Sequence, residues 1–253
     1  KHVKVLSKIR ELAKESKIPV LGITGTGGGG KSSLVDELVR RFIMDFSDKN
    51  IAIISVDPSK RKTGGALLGD RIRMLKHYSD PNVYIRSMAS RNASGGLSLA
   101  SSEACDILDA HGFDVIIFET LGVGQVEIDV MNEADTVAVV LVPESGDDIQ
   151  MMKSGLIEIA DIYVINKSDR SGANRLTTTL TNMLETNPNP IENGWDIPVL
   201  NTNALSNTGI DSLLDSINQH FSYMKTEGVL DAKTNDRYER QVKSTISARI
   251  NRH

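Results

Sequence analysis

The chain has 253 residues, of which 40% are hydrophobic and 25% charged, and its net charge at pH 7 is -4. This composition is that of an ordinary globular protein and excludes a disordered chain, while the acidic balance argues against partners such as nucleic acid or an anionic membrane surface. Cys105 is the only cysteine in the sequence, which excludes an internal disulfide framework and favours a reducing, cytoplasmic location. No apolar run approaches the ~20 residues that a membrane-spanning helix needs.

Helical and extended patterns alternate along the chain. The leading residues 1–18 predict an amphipathic helix, because apolar residues recur there at helical spacing. Seven short apolar runs then predict strands at Val20–Thr24, Ile51–Val56, Val83–Ser87, Val115–Glu119, Thr136–Val142, Ile162–Asn166 and Pro198–Asn201. Because these runs alternate with helical patterns, the sequence predicts an α/β fold, with a mostly parallel central sheet of about seven strands flanked by helices.

The predicted organisation is one large domain between two helical extensions. Residues 1–18 form the N-terminal extension, residues 19–223 the α/β domain and residues 224–253 a polar C-terminal tail. The tail carries few apolar positions, among them Val242 and Ile246. Two interpretations of it stay open, a solvated terminal helix and a contact with a partner or within a homodimer.

The first predicted strand leads directly into the glycine-rich stretch Gly25-Thr26-Gly27-Gly28-Gly29-Gly30-Lys31-Ser32. Its glycines let backbone N–H groups curl around a phosphate, while Lys31 reaches the β- and γ-phosphates and the Ser32 hydroxyl ligates Mg²⁺. Ser33 continues into an amphipathic helix, whose N-terminal dipole adds to the same anion site. The sequence therefore predicts a P-loop NTPase fold that binds a nucleoside triphosphate.

A second motif, Asn166-Lys167-Ser168-Asp169, follows the sixth predicted strand. It matches the N-K-x-D pattern of G proteins, in which the Asp169 carboxylate would accept hydrogen bonds from guanine N1–H and the 2-amino group. Adenine offers neither donor there, so the motif predicts guanine recognition, with Asn166 supporting the loop and Lys167 lying along the base. The next strand is followed by Asn203, Ala204 and Leu205. G proteins place a Ser-Ala pair here, whose backbone N–H meets guanine O6, and Asn203 departs from that pair.

Three acidic residues are candidates for the metal and phosphate chemistry. The fourth predicted strand delivers Glu119, and then Gly122, to the position where small G proteins carry D-x-x-G. Glu119 would hold a water on Mg²⁺ or position the attacking water, and the Gly122 N–H would contact the γ-phosphate. Asp57 and Asp70 are further oxygen ligands for a hard cation, although a turn or helix-capping role remains open for both.

Together these motifs resemble the MeaB/ArgK/MMAA family of G-protein chaperones of adenosylcobalamin-dependent acyl-CoA mutases. The resemblance is carried by Gly25–Ser33, Val56–Ser59, Thr63–Gly65, Gly69-Asp70, Glu119–Gln125 and Asn166–Asp169. It implies a Mg²⁺-dependent GTPase that gates cofactor loading onto a mutase and protects that mutase, without binding cobalamin itself. It also implies that Asp57, Asp70 and Glu119 are the acids of the metal site, and that Gln150 and Lys153 belong to a segment that relays the nucleotide state to the mutase.

Other interpretations stay open at this point. The stretch from Asp57 to Thr63 looks more like the G domain of fused isobutyryl-CoA mutase, whereas the stretch from Glu119 to Lys153 looks more like the free-standing chaperones. The chain could therefore be an excised G domain. Less favoured alternatives are a P-loop kinase of a small metabolite, a nickel metallochaperone, which the single cysteine argues against, and a scaffold that holds nucleotide only structurally.

Overall fold

The computed structural model describes residues 18–57, 77, 79–89, 96–120, 128, 131–143, 158–186 and 194–250. Seven strands lie in this part of the chain: β1 (Val20–Gly25), β2 (Ile51–Asp57), β3 (Val83–Ala89), β4 (Val115–Thr120), β5 (Thr136–Leu141), β6 (Ile162–Ile165) and β7 (Val199–Asn201). Five helices lie there as well: α1 (Lys31–Asp45), α2 (Gly96–His111), α3 (Ala173–Thr186), α4 (Ile210–Thr226) and α5 (Val229–Ile250). The helix predicted over residues 1–18 falls, apart from Ile18, outside the described residues.

The seven strands form one parallel sheet in the order β3-β2-β4-β1-β5-β6-β7. The predicted α/β fold with a mostly parallel sheet is confirmed, and each predicted strand lies within two residues of an observed one. β1 lies near the middle, between β4 and β5. Because every strand runs the same way, the loops that follow their carboxyl ends meet at one edge of the sheet, where open α/β sheets bind ligands.

Apolar side chains fill both faces of the sheet. On one face α1 and α4 contribute Leu34, Val35, Leu38, Ile210 and Leu213, which pack against strand residues such as Ile53 and Ile117. On the other face α2 and α3 contribute Cys105, Leu108, Leu176 and Leu180. Because helices cover both faces of the sheet, the strands are apolar almost throughout. The packing of α1 on the sheet also holds the start of this helix next to the loop that follows β1.

Helix α5 is attached to the opposite edge of the sheet, where the strands begin. The Arg237 guanidinium contacts Asp135 Oδ1 at 2.5 Å, and Asp135 Oδ2 in turn accepts the backbone N–H of Val20 at 2.9 Å. Lys233 Nζ donates to the Asp135 carbonyl at 2.8 Å, and the Gln241 amide contacts the buried Ser102 hydroxyl. The polar tail is therefore linked through Asp135 to the start of β1, the strand that carries the glycine-rich loop.

His220 of α4 is buried at the same edge. Its Nδ1 lies 2.8 Å from Thr136 Oγ1, its Nε2 lies 3.5 Å from Asp161 Oδ1, and the Trp195 ring packs edge-on against it at 4.8 Å. Burial of the imidazole lowers its pKa to about 4, against the opposing attraction of Asp161.

Among the described residues, no helix combines the length and the apolar character required to cross a membrane.

Candidate nucleotide-binding site

The loop between β1 and α1 has a backbone that only glycine can adopt at its start. Gly25 has φ +133°, and a Cβ placed there would lie 1.9 Å from the carbonyl oxygen of Val140 in β5. Gly28 and Gly30 are also in the left-handed region, with φ values of +73° and +80°. The Thr26 N–H donates to the Val140 carbonyl at 3.2 Å, so the loop begins against a central strand. These glycines are what turns the chain from β1 into α1 in so few residues.

Lys31, the first residue of α1, folds back over this loop. Its side chain is buried, and Nζ donates to the carbonyls of Gly25 at 2.7 Å and Thr26 at 2.8 Å. The ammonium group is therefore held beside the N-terminus of α1, where the helix dipole is also positive. A buried positive charge and a helix N-terminus at the same place favour an anion such as phosphate.

A carboxylate from the neighbouring strand meets the start of the same helix. The pairing of β1 with β4 sets Glu119 opposite Ile23, and the Glu119 side chain is only 1% exposed. Ser32 Oγ donates to Glu119 Oε1 at 2.5 Å. The Ser32 hydroxyl and the Glu119 carboxylate both offer oxygen atoms, which are the ligands that Mg²⁺ prefers in proteins. These two residues therefore fit the metal that the motif implies.

The remaining predicted metal, phosphate and relay residues are described less fully. Asp57 ends β2, two residues beyond Ser55, which pairs with Glu119. Its backbone therefore lies at the same edge of the sheet, whereas its side chain is outside the described part of the structure. Asp70, Gly122, Gln150 and Lys153 also lie outside the described residues.

Asn166 links the glycine-rich loop to the loop that follows β7. It is 2% exposed, and its Nδ2 donates to the Gly29 carbonyl at 2.9 Å. Its Oδ1 accepts from the Ala204 N–H at 3.2 Å and from Thr202 Oγ1 at 3.3 Å. One amide thus fixes the distance between two loops that are far apart in sequence, and a Cβ at Gly30 would lie 2.5 Å from the same Nδ2.

The other residues of the second motif lie alongside. Lys167 adopts φ +57°, and its Nζ donates to the Gly28 carbonyl at 2.9 Å. Asp169 Oδ1 accepts from Asn203 Nδ2 at 2.8 Å, while the Leu205 side chain is 89% exposed beside them. The structure therefore brings the residues of the glycine-rich stretch, Glu119, Asn166–Asp169 and Asn203–Leu205 to one edge of the sheet.

Two features of this site are absent from the sequence-based expectation. Only a backbone contribution is expected near Asn203, yet its side chain contacts the carboxylate of the base motif. The departure from Ser-Ala at that position is the sequence signal that points to it. A buried pair of hydroxyls, with Thr120 Oγ1 donating to Thr24 Oγ1 at 2.8 Å, also joins β4 to β1 beneath the loop.

This sheet and this edge define a P-loop nucleotide-binding protein with a guanine-type base motif. Residues 1–253 match the family model described as methylmalonyl Co-A mutase-associated GTPase MeaB, and the chain belongs to this family. The resemblance inferred from the sequence motifs is thereby confirmed.

Individual relatives agree with that assignment. A protein of Pyrococcus abyssi named as a GTPase is 46% identical over 232 residues, which are 91% of this chain and 71% of that protein. A fused isobutyryl-CoA mutase of Geobacillus kaustophilus is 51% identical over 161 residues, or 64% of this chain and 15% of that protein. A solved LAO/AO transport system kinase has a TM-score of 0.78 at 25% identity, covering 99% of this chain and 74% of that one. The hydrogenase maturation factor HypB of Archaeoglobus fulgidus, with a TM-score of 0.57 at 16% identity over 85% of this chain and 96% of that one, shares the fold.

Proposed function

We propose that this MeaB-family chain is a Mg²⁺-dependent GTPase that hydrolyses GTP to GDP and phosphate, and that its nucleotide state controls an acyl-CoA mutase. The single observation that carries the first part is the Asn166 amide, which contacts Gly29 of the phosphate loop and Ala204 of the base loop. A phosphate site and a base site joined by one buried side chain are parts of one nucleotide site.

At the phosphate end, the charged groups have distinct roles. Lys31 and the N–H groups of the glycine-rich loop stabilise the negative charge that spreads over the transferring phosphoryl group. Ser32 and Glu119 would hold Mg²⁺, directly or through its waters, with Asp57 and Asp70 as further candidates. The metal held there would supply Lewis-acid chemistry, which offsets charge on the phosphate oxygens. We expect slow turnover in isolation, because the sequence has no obvious equivalent of the glutamine that orients the attacking water in G proteins.

At the base end, recognition follows from hydrogen-bond complementarity. An ionised Asp169 offers only acceptors, which match the two donors of guanine at N1 and the 2-amino group. The N–H groups of Ala204 and Leu205 donate to Asn166 Oδ1 at 3.2 Å and Asn203 Oδ1 at 3.0 Å, so a contact to the guanine O6 acceptor requires one of these donors to be shared. Adenine reverses this pattern, so we expect the site to reject ATP.

The regulatory part of the proposal rests on the family and on gene fusion. The family description names association with methylmalonyl Co-A mutase, and 161 residues of this chain align within a fused isobutyryl-CoA mutase. We infer a partner that is an adenosylcobalamin-dependent acyl-CoA mutase, whose cofactor loading is gated through residues such as Gln150 and Lys153. We also infer a homodimer, because Val242 and Ile246, one helical turn apart on α5, are 58% and 52% exposed; sedimentation equilibrium tests this.

Thermodynamic linkage supplies the test of the regulatory part. If the mutase binds one nucleotide state more tightly than the other, it must change the affinities for GTP and GDP by different factors, because each nucleotide and the mutase change each other's affinity by one shared factor. Both nucleotides are titrated with and without purified methylmalonyl-CoA mutase, and again with and without purified isobutyryl-CoA mutase. A change in the GTP to GDP affinity ratio with either mutase supports the proposal, and unchanged ratios with both contradict it.

A second candidate is favoured by one observation, the likeness to a structure named as a transport system kinase. A kinase needs an acceptor for the phosphoryl group, whereas a GTPase transfers it to water. Phosphate release from GTP is therefore measured without any added acceptor. Release under these conditions supports the GTPase, and release that requires a small-molecule acceptor supports the kinase.

A further inference from the structure

The loop that follows β7 is closed by a short backbone bridge. The Asn203 N–H donates to the Thr208 carbonyl at 2.9 Å, and the Thr208 N–H returns to the Asn203 carbonyl at 3.1 Å. Asn203 therefore stands at the base of a tight loop, with its backbone fixed from both sides. This fixed backbone limits the directions in which the Asn203 side chain can reach the neighbouring base motif.

The two ends of the Asn203 amide have different partners. Oδ1 accepts the N–H groups of Leu205 at 3.0 Å and Ser206 at 3.3 Å, which keeps the oxygen turned into its own loop. Nδ2 then faces Asp169 and donates to its Oδ1 at 2.8 Å. A flipped amide would lose all three bonds, because its nitrogen would face two donors and its oxygen a carboxylate.

We propose that Asn203 is a positioning residue for guanine recognition, which holds the Asp169 carboxylate in the orientation that reads the base. This inference rests on the proposed function. A carboxylate that accepts two donors from one base edge must lie in the plane of that base, and a charge-assisted hydrogen bond to one oxygen fixes that plane. A carboxylate held in this orientation suits guanine and opposes xanthine, whose C2 carbonyl would face a second acceptor.

Nucleoside diphosphates that differ only in the groups on the purine ring test this role. GDP, IDP, XDP and ADP are titrated against the full chain by calorimetry, and IDP lacks only the 2-amino group of GDP. Asn203→Asp is the informative variant, because its side chain can still accept the N–H groups of Leu205 and Ser206 but places a negative oxygen against Asp169. Asn203→Ala removes both functions. Ser206→Ala is the matched control, since it removes the hydroxyl contact to Thr208 Oγ1 at 3.0 Å without touching Asp169.

The expected result is a loss of selectivity rather than a general loss of binding. We expect Asn203→Ala to lower the ratio of GDP to IDP affinity about 10-fold, and Asn203→Asp to lower it at least as much. Ser206→Ala keeps the ratio of the unaltered chain. Should Asn203 serve only to shape its loop, Asn203→Asp would bind GDP normally and Asn203→Ala would weaken all four ligands equally, which overturns the inference.

The two levels of the proposal fail in different ways. If the unaltered chain binds ADP as tightly as GDP, guanine recognition itself is refuted, and the role of Asn203 is refuted with it. If the unaltered chain prefers GDP and both Asn203 variants keep the full GDP to IDP ratio, only the role of Asn203 is refuted. Thermal unfolding of each variant is measured in parallel, so that a change in nucleotide selectivity is distinguished from a loss of folding.

Discussion

Replacing Asn166 by alanine tests whether one buried amide makes a single site of two loops. The change removes the bond to the Gly29 carbonyl and the two bonds accepted from Ala204 N–H and Thr202 Oγ1. At about 1 kcal/mol for each lost hydrogen bond, the total effect is ~3 kcal/mol. Because the proposed nucleotide site spans both loops, we expect about 2 kcal/mol of it to appear as weaker GDP binding, which is ~30-fold in Kd. The remainder lowers the free energy of unfolding.

Equilibrium titration with GDP measures the first quantity, and urea unfolding of the nucleotide-free chain measures the second. Thr202→Val is the matched control, because it removes only the longest of the three bonds, at 3.3 Å. We expect it to weaken GDP less than about threefold. The reasoning is refuted if Asn166→Ala binds GDP as tightly as Thr202→Val does while both variants unfold like the unaltered chain.

Three further changes probe the loop, the metal site and the base of the sheet. Gly25→Ala forces a Cβ to within 1.9 Å of the Val140 carbonyl, so urea unfolding should show a loss of about 3 kcal/mol; Gly112→Ala, also at positive φ but with open space around it, should lose only about 1 kcal/mol, and equal losses would contradict the clash. Glu119→Gln keeps the shape but removes the charge beside Ser32, so the Mg²⁺ concentration needed for half-maximal hydrolysis should rise about tenfold or more, and an unchanged Mg²⁺ requirement would count against Glu119. Burial lowers the pKa of His220 from 6.5 to about 4, so between these pH values the unfolded chain binds a proton at this residue and the folded chain does not. The contribution of His220 to the free energy of unfolding should therefore be full above pH 6.5 and fall by up to ~3 kcal/mol towards pH 4. In urea unfolding measured across this pH range, His220→Gln should show a weaker dependence on pH.

The sheet could be predicted from sequence because its physics is local. Strands covered on both faces are apolar at most positions, as in β1 and β5, and short apolar runs between helical patterns leave little choice of fold. The phosphate loop was predictable for a related reason. The left-handed backbone at Gly28 and Gly30 requires glycine, so the structural demand is written directly into the residue types.

Contacts between distant segments could not be predicted in the same way. The composition of the tail gives no sign that Arg237 is held by Asp135, because the two are 102 positions apart and meet only when α5 packs on the folded sheet. The orientation of the Asn203 amide likewise depends on its own loop and on Asp169 together. The roles of Asp57, Asp70, Gly122, Gln150 and Lys153 stay predictions, since they depend on side-chain positions outside the described residues.

Phosphate release from GTP and from ATP, each with Mg²⁺ and no added acceptor, tests the central claim most directly. The account predicts slow release from GTP and little from ATP. It also predicts loss of the GTP reaction in Lys31→Ala, because this change removes the ammonium group that contacts the glycine-rich loop. Equal release from GTP and ATP would contradict guanine recognition. A Lys31→Ala chain that hydrolyses GTP at the original rate would contradict the assignment of the site itself.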